Sequence, residues 1–370
     1  MSVIEDAFVR DRRWKPPALP KNRMAEQHQR TAHKSATMPI MNHTIDAAAF
    51  EIECFPTEET TRCMVRLFDL SDWGAVEIPV IVVRGCAPGP LFLAVAGVHG
   101  NEYEGMEAIR QVVSELDPLV MHGTFMAILT ANPFAYASRT RETSASIDGL
   151  NLARVFPGDP EGEPTKRLAA ALLELIERLI GPDDLLLDLH SGTAETAFAT
   201  MAGYRATSGP GRARSEEAAR HMGLPLLWEI PDVPGPLNAE TARRGIPTVG
   251  SETTGRAGCR PEDVASYQQS LRNMLAWLGI CPDWPKPIRD NRKALTTIDL
   301  LSPATGFLRV EFALLAEVAQ GSRLGMIVDP FGDSIAEVRS PVNGMVWASR
   351  ETPHVDEGDL IFTLAESSRD

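Results

Sequence analysis

The chain has 370 residues, 44% of them hydrophobic, and a formal net charge of −14 at pH 7; this suits two domains with buried cores and works against binding to a phosphate backbone. Its five cysteines (Cys54, Cys63, Cys86, Cys259, Cys281) are odd in number and form no CxxC pair, so a reducing, cytoplasmic setting is expected rather than a disulfide framework. The N-terminus MSVIEDAFVRDRRWKPP has no apolar h-region, and no stretch approaches the roughly 18 apolar residues of a membrane span, so neither a secretory leader nor a membrane partner is expected.

Residues 1–45 are polar and aperiodic, which reads as an N-terminal arm, either loosely packed or making subunit contacts in a homo-oligomer. From residue 46 short apolar runs alternate with helical patterns. IPVIVV (78–83) and LFLAVAG (91–97) read as strands separated by the turn signal GCAPGP. Met106, Ile109, Val113 and Leu116 give helical spacing over 102–116. FMAILTA (125–131) is a buried strand, and TKRLAAALLELIERLI (165–180) an amphipathic helix. Further strands follow at DLLLDLH (184–190), LPLLWEI (224–230) and GIPTVGSE (245–252). The stretch 261–279 opens with Pro and closes on Gly, as a helix does. This alternation predicts an α/β fold with a mixed, mostly parallel sheet flanked by helices. Such sheets collect ligands at the C-terminal ends of their strands.

The Pro-rich, charged segment 281–293 reads as a linker, after which helix signals cease. The expected organisation is an arm (1–45), a catalytic domain (46–285) and a C-terminal β domain (294–370). The tail carries a weak repeat: SPATGFL (302–308) matches SPVNGMV (340–346), and AQGSRLG (319–325) is echoed by DEGDLIF (356–362). The pattern is similar to barrel-sandwich carrier domains. The tip regions VDPFGD and SRETPHVD hold no Lys, however, which excludes a covalently modified carrier and leaves a structural or substrate-gating role.

Four short stretches carry chemistry. In GVHGNE, His99 and Glu102 lie three apart where a buried strand ends; alone, this spacing is weak. His190 closes DLLLDLH, and the three side chains together form a His/Glu/His set that suits a zinc site with an open position. Asp188 points the same way along its strand, either to orient a ligand ring or as a buried structural acid. Glu252 ends a third apolar strand in a Gly/Thr turn and suits a general base. The segment 132–158 holds Arg139, Arg141 and Arg154, either solvated loop arginines or cations for an oxyanion or a carboxylate.

Taken in order, GVHGNE, NP…TR…DGLNLARVFPG, DLHSG and SETTG resemble the succinylglutamate desuccinylase/aspartoacylase family, of zinc carboxypeptidase-like fold, over residues 80–280. The resemblance implies one Zn2+ per chain on His99, Glu102 and His190, and Glu252 as catalytic base. It implies Arg141 for the oxyanion and Arg154 for the substrate carboxylate, with Arg139 and Asn151 as nearby substrate-binding candidates. Relatives usually show Asn-Arg where this chain has Ala153-Arg154, and Asn151 stands two positions earlier. The expected activity is zinc-dependent hydrolysis of an N-acyl amino acid or small acylated amine. The long SASIDGLNLARVFPG loop is similar to the branch that deacetylates N-acetyl-diaminobutyrate in ectoine breakdown. The alternatives are a zinc carboxypeptidase acting on peptides and a metal-free binding or scaffold protein of the same fold.

Overall fold

The computed structural model describes residues 44–70, 74–293 and 295–366; most of the expected arm over 1–45 lies outside them. The strands are, in chain order, β1 (Thr44–Asp46), β2 (Glu59–Leu70), β3 (Gly74–Arg84), β4 (Ala87–Val95), β5 (His122–Ile128), β6 (Leu185–Ser191), β7 (Thr196–Phe198), β8 (Met201–Arg205), β9 (Leu226–Ile230) and β10 (Thr248–Thr253). Between and after them lie α1 (Glu104–Val113), α2 (Pro133–Ser138), α3 (Pro164–Leu179), α4 (Arg212–His221), α5 (Leu237–Arg243) and α6 (Pro261–Trp277). All of these strands except β7 form one sheet in the order β1-β2-β3-β5-β4-β6-β10-β8-β9. The central run β5-β4-β6-β10 is parallel, while β3 meets β5 and β8 meets β10 antiparallel. The last two residues assigned to the arm thus belong to β1, paired parallel with β2.

Strand alternation divides the core between the two faces. Phe92, Ala94, Leu185, Leu187 and Leu189 pack on one side with Met106 and Ile109 of α1 and Leu271 and Met274 of α6. Leu91, Leu93, Val95 and Leu186 pack on the other with Leu168, Leu172 and Ile176 of α3. Helices α3 and α6 start on Pro at the first turn, where its missing N–H costs nothing. The helix expected from 102 starts only at Glu104, because Glu102 is turned out of the helical path to other partners.

The remaining strands are β11 (Thr297–Leu301), β12 (Gly306–Val310), β13 (Glu317–Val318), β14 (Arg323–Val328), β15 (Ser334–Arg339), β16 (Gly344–Arg350), β17 (His354–Val355) and β18 (Leu360–Glu366). They build a C-terminal antiparallel all-β domain of two sheets, β11-β18-β16-β13 and β15-β14-β12-β17, around a shared apolar core; among the described residues the sheets do not close into a barrel. The sequence repeat has a structural counterpart. Ser302 Oγ donates to the Ala304 carbonyl and Ser340 Oγ to the Val342 carbonyl, each at 2.7 Å. The strands that follow, β12 and β16, make exchanged pairings: β12 with β17, β16 with β13.

This domain is keyed to the larger one through β7, which joins the C-terminal sheet and not the nine-stranded one. Strand β16 pairs with β7, Phe198 opposite Ala348 and Thr196 opposite Arg350. Trp347 is fully buried, its ring 6.0 Å from that of Trp228 on β9. Removing so large a buried side chain leaves a cavity, so Trp347→Ala should cost about 3–5 kcal/mol in denaturant unfolding. A loss below about 1 kcal/mol would show that this contact does not hold the two parts together.

Candidate metal and active site

Three neighbouring strands, β4, β6 and β10, end at the same edge of the sheet. His99 lies in the loop after β4 and Glu102 just ahead of α1, while His190 and Glu252 face each other as register partners on β6 and β10. The turns after β6 and β10 touch. A Cβ added at Gly255 (φ +72°) would lie 1.9 Å from the Gly192 carbonyl oxygen, and one at Gly192 would lie 2.2 Å from that of Thr254. Both DLHSG and SETTG therefore need their glycines for the two turns to approach, which brings His190 and Glu252 side by side.

His99, Glu102 and His190 are buried, and each offers a ligand atom within 4.8 Å of the others. Glu102 Oε1 is 2.7 Å from His99 Nδ1, and Oε2 is 3.0 Å from His190 Nδ1. The two Nδ1 atoms are 3.2 Å apart. The far ring nitrogens have partners of their own. His99 Nε2 is 3.1 Å from Asn151 Oδ1, whose identity as oxygen is fixed by the Ala153 N–H it accepts at 2.9 Å. His190 Nε2 is 3.2 Å from Asp188 Oδ1. With the protons on Nε2, both Nδ1 lone pairs and the carboxylate converge on one point, a donor set that calls for a cation.

Burial pushes the His99 imidazole down to about 4, which favours the neutral ring a metal requires. Burial also opposes charge on His190, but the carboxylates of Asp188 and Glu102 together outweigh it and raise its pKa. Glu102 is held well below its usual range: burial works against ionisation, and the two imidazoles beside it work for it more strongly. Burial drives the Glu252 carboxyl up to about 8, against the pull of His190, and its Oε2 is buried without a partner among the described residues. A dication in the triad would act in the opposite direction on Glu252.

The loop residues separate. Arg141 Nη1 donates to Glu102 Oε1 at 3.1 Å. Arg154 closes a short 3₁₀ turn, Leu152–Arg154, capped by the Asn151 side chain. Arg141, Ala153 and Arg154 line a cavity of about 460 Å3 together with His99, His190 and Glu252. Asn151 serves His99 rather than the cavity wall. Arg139 is not brought in: it is exposed, sits in the left-handed C-cap of α2 (φ 57°), and its side chain does not line the cavity. A larger open groove of about 750 Å3, bordered by Glu115, Arg272, Trp284 and Lys286, lies away from this cluster and brings together no comparable set.

The family model described as the succinylglutamate desuccinylase/aspartoacylase catalytic domain matches residues 88–278. The chain is also 31% identical over 311 residues to the N-alpha-acetyl-L-2,4-diaminobutyric acid deacetylase of Halomonas elongata, covering 80% of this chain and 88% of that protein. The chain belongs to the succinylglutamate desuccinylase/aspartoacylase family. A family structure from Rhodobacter sphaeroides superposes with a TM-score of 0.74 at 26% identity, over 85% of this chain and 97% of the other. The product-bound ectoine utilization protein EutE (DoeB) of Ruegeria pomeroyi shares the fold, with a TM-score of 0.74 at 23% identity over 85% and 98%.

In this desuccinylase/aspartoacylase chain several site residues escaped sequence reasoning. Arg205, at the end of β8, is 7% exposed and lines the cavity. Asn238 of α5 donates to Asp188 Oδ2 at 2.7 Å and accepts from Arg205 Nε at 2.6 Å. Gly250 leaves room for it, since a Cβ there would lie 2.9 Å from Asn238 Nδ2. Glu104 is fully buried and ties the β6 turn to the loop before α6, accepting from Ser191 Oγ at 2.6 Å and Cys259 N at 3.0 Å. The C-terminal domain adds Thr297, Asp299, Trp347, Leu360 and Thr363 to the wall. Only the position of Arg205 after a short apolar stretch, MAGYR, hinted at any of these. No helix among the described residues is long and apolar enough to cross a membrane.

Proposed function

We propose that the protein is a zinc-dependent deacylase that hydrolyses the amide bond of an N-acyl amino acid, with N-alpha-acetyl-L-2,4-diaminobutyrate as the first substrate to test. The observation that carries this reading is the convergence of His99 Nδ1, His190 Nδ1 and Glu102 beside the partnerless Oε2 of Glu252. His99, Glu102 and His190 would hold the zinc, with Asn151 and Asp188 fixing the two rings. Bound there, zinc supplies Lewis acidity toward the acyl carbonyl and lowers the pKa of water. Glu252 takes a proton from the attacking water and delivers it to the departing amine nitrogen, so that the C–N bond breaks to give a carboxylate and an amine. Arg141 offers donors to the developing oxyanion, and Arg154 receives the substrate carboxylate. Asp299, which also lines the cavity, suits an ammonium group on the same substrate.

The active residues come from the proposed catalytic domain (46–285), and the proposed C-terminal domain (from 294) supplies part of the cavity wall. A walled cavity of about 460 Å3 favours small substrates over peptides. All five cysteines are unpaired, in keeping with the cytoplasmic setting we propose. The test is primary-amine release by zinc-loaded protein from N-acetyl, N-succinyl and N-formyl amino acids, diaminobutyrate included, and from their carboxamides. Cleavage of the free acids at least tenfold faster than of the carboxamides is expected. No turnover across the panel, or preference for longer peptides, would overturn the reading.

A further inference from the structure

Arg205 raises a question the mechanism leaves open. It is a cation with 7% exposure, and no carboxylate lies within ion-pair distance of it among the described residues. Burying a charge with no carboxylate in contact is costly; Asp188 and Asp232, farther off, offset part of that cost, and an anion in the cavity would offset more. Two of its donors are used for anchoring: Nε to Asn238 Oδ1 at 2.6 Å and Nη1 to the Pro231 carbonyl at 2.6 Å. Its Nη2 has no partner among the described residues, and the side chain borders the cavity that also holds Arg154 and Glu252. Burial lowers its pKa to about 10 against the opposing pull of the Asp188 and Asp232 carboxylates, and Arg154 also acts to lower it, so the two cations share one neighbourhood. A guanidinium fixed at two points with its third nitrogen free is preorganised to receive an anion.

We infer that Arg205 is a specificity residue that, together with Arg154, receives the substrate's carboxylate. This rests on the N-acyl amino acid reading above. Arg205 also steadies Asn238, and through it Asp188 and His190, so its test must separate recognition from support of the ligand ring.

The experiment uses zinc-loaded full-length protein as wild type, Arg205→Met and Arg205→Lys. Calorimetry measures binding of L-2,4-diaminobutyrate and of its carboxamide, alongside turnover of the N-acetylated pair and zinc content. Wild type should bind the acid at least tenfold more tightly than the carboxamide. Arg205→Met should lose that preference tenfold or more, and Arg205→Lys, which keeps charge without the fork, by a smaller factor. Should Arg205→Met fail to fold, Arg205→Lys alone decides: an unchanged acid-to-amide ratio overturns the assignment. Parallel weakening of both ligands, or no preference in wild type, also overturns it, since a purely supporting role would affect acid and amide alike. Absence of turnover in wild type would instead overturn the deacylase reading, and the binding ratio would still decide on Arg205.

Discussion

Replacing Glu252 with Gln should lower turnover by about 10²–10⁴-fold while leaving bound zinc and the unfolding midpoint near those of the wild type. The amide has the volume of the carboxyl and fits the same place on β10, opposite His190. It cannot accept a proton and pass it on. Oε2 has no protein partner to lose, so the substitution breaks no hydrogen bond at that atom. The neighbouring ligands come from other segments, so metal content measured by elemental analysis should stay near one equivalent. Turnover within tenfold of wild type, with zinc retained, would remove Glu252 from the role of base.

His190→Ala should have the larger effect on the metal. It deletes one of three donors and also strands Asp188, whose Oδ1 then faces an empty space in place of the ring. Loss of a supporting partner alone typically costs 10–100-fold in metal affinity, so loss of a ligand should exceed about a hundredfold. Chelator competition reads this directly. Because metal binding stabilises only the folded chain, the thermal midpoint of the zinc-loaded variant should also fall toward that of stripped protein. Zinc bound as tightly as in wild type would mean that the ligand set is wrong.

The elements that could be read from sequence share one trait: their environment leaves a local mark. Strands buried on both faces, such as β4 and β6, are uninterrupted apolar runs, and the residue where each run stops is where site side chains project. His99, His190 and Glu252 were accessible for that reason. Helix α4, RARSEEAARH, is polar nearly all round and buries only Ser215, Ala218 and Ala219, so its periodicity is faint. Strand β8 is five residues with a glycine in the middle, and Arg205 went unnoticed with it. Arg139 and Arg141 are indistinguishable by composition. A left-handed residue at the end of α2 sends one to solvent, and the loop beyond turns the other onto Glu102. The linker reading of 281–293 missed its ties to α4, since Arg220 Nη1 donates to the carbonyls of Asp290 and Arg292.

The pairing of β7 with β16 has a consequence for traffic. Strand β7 follows His190 after one turn, and its partner leads into Arg350, so the join lies close in sequence to a proposed metal ligand. Swinging the C-terminal sheet outward would tear strand hydrogen bonds beside a ligand-bearing turn and expose Trp347. Such a hinge is too costly to open with every turnover. The stretch of cavity wall that this sheet supplies is then expected to keep its place while substrate enters and products leave. On the deacylase reading proposed above, such a site would sort substrates by size at its entrance before any charge is read inside.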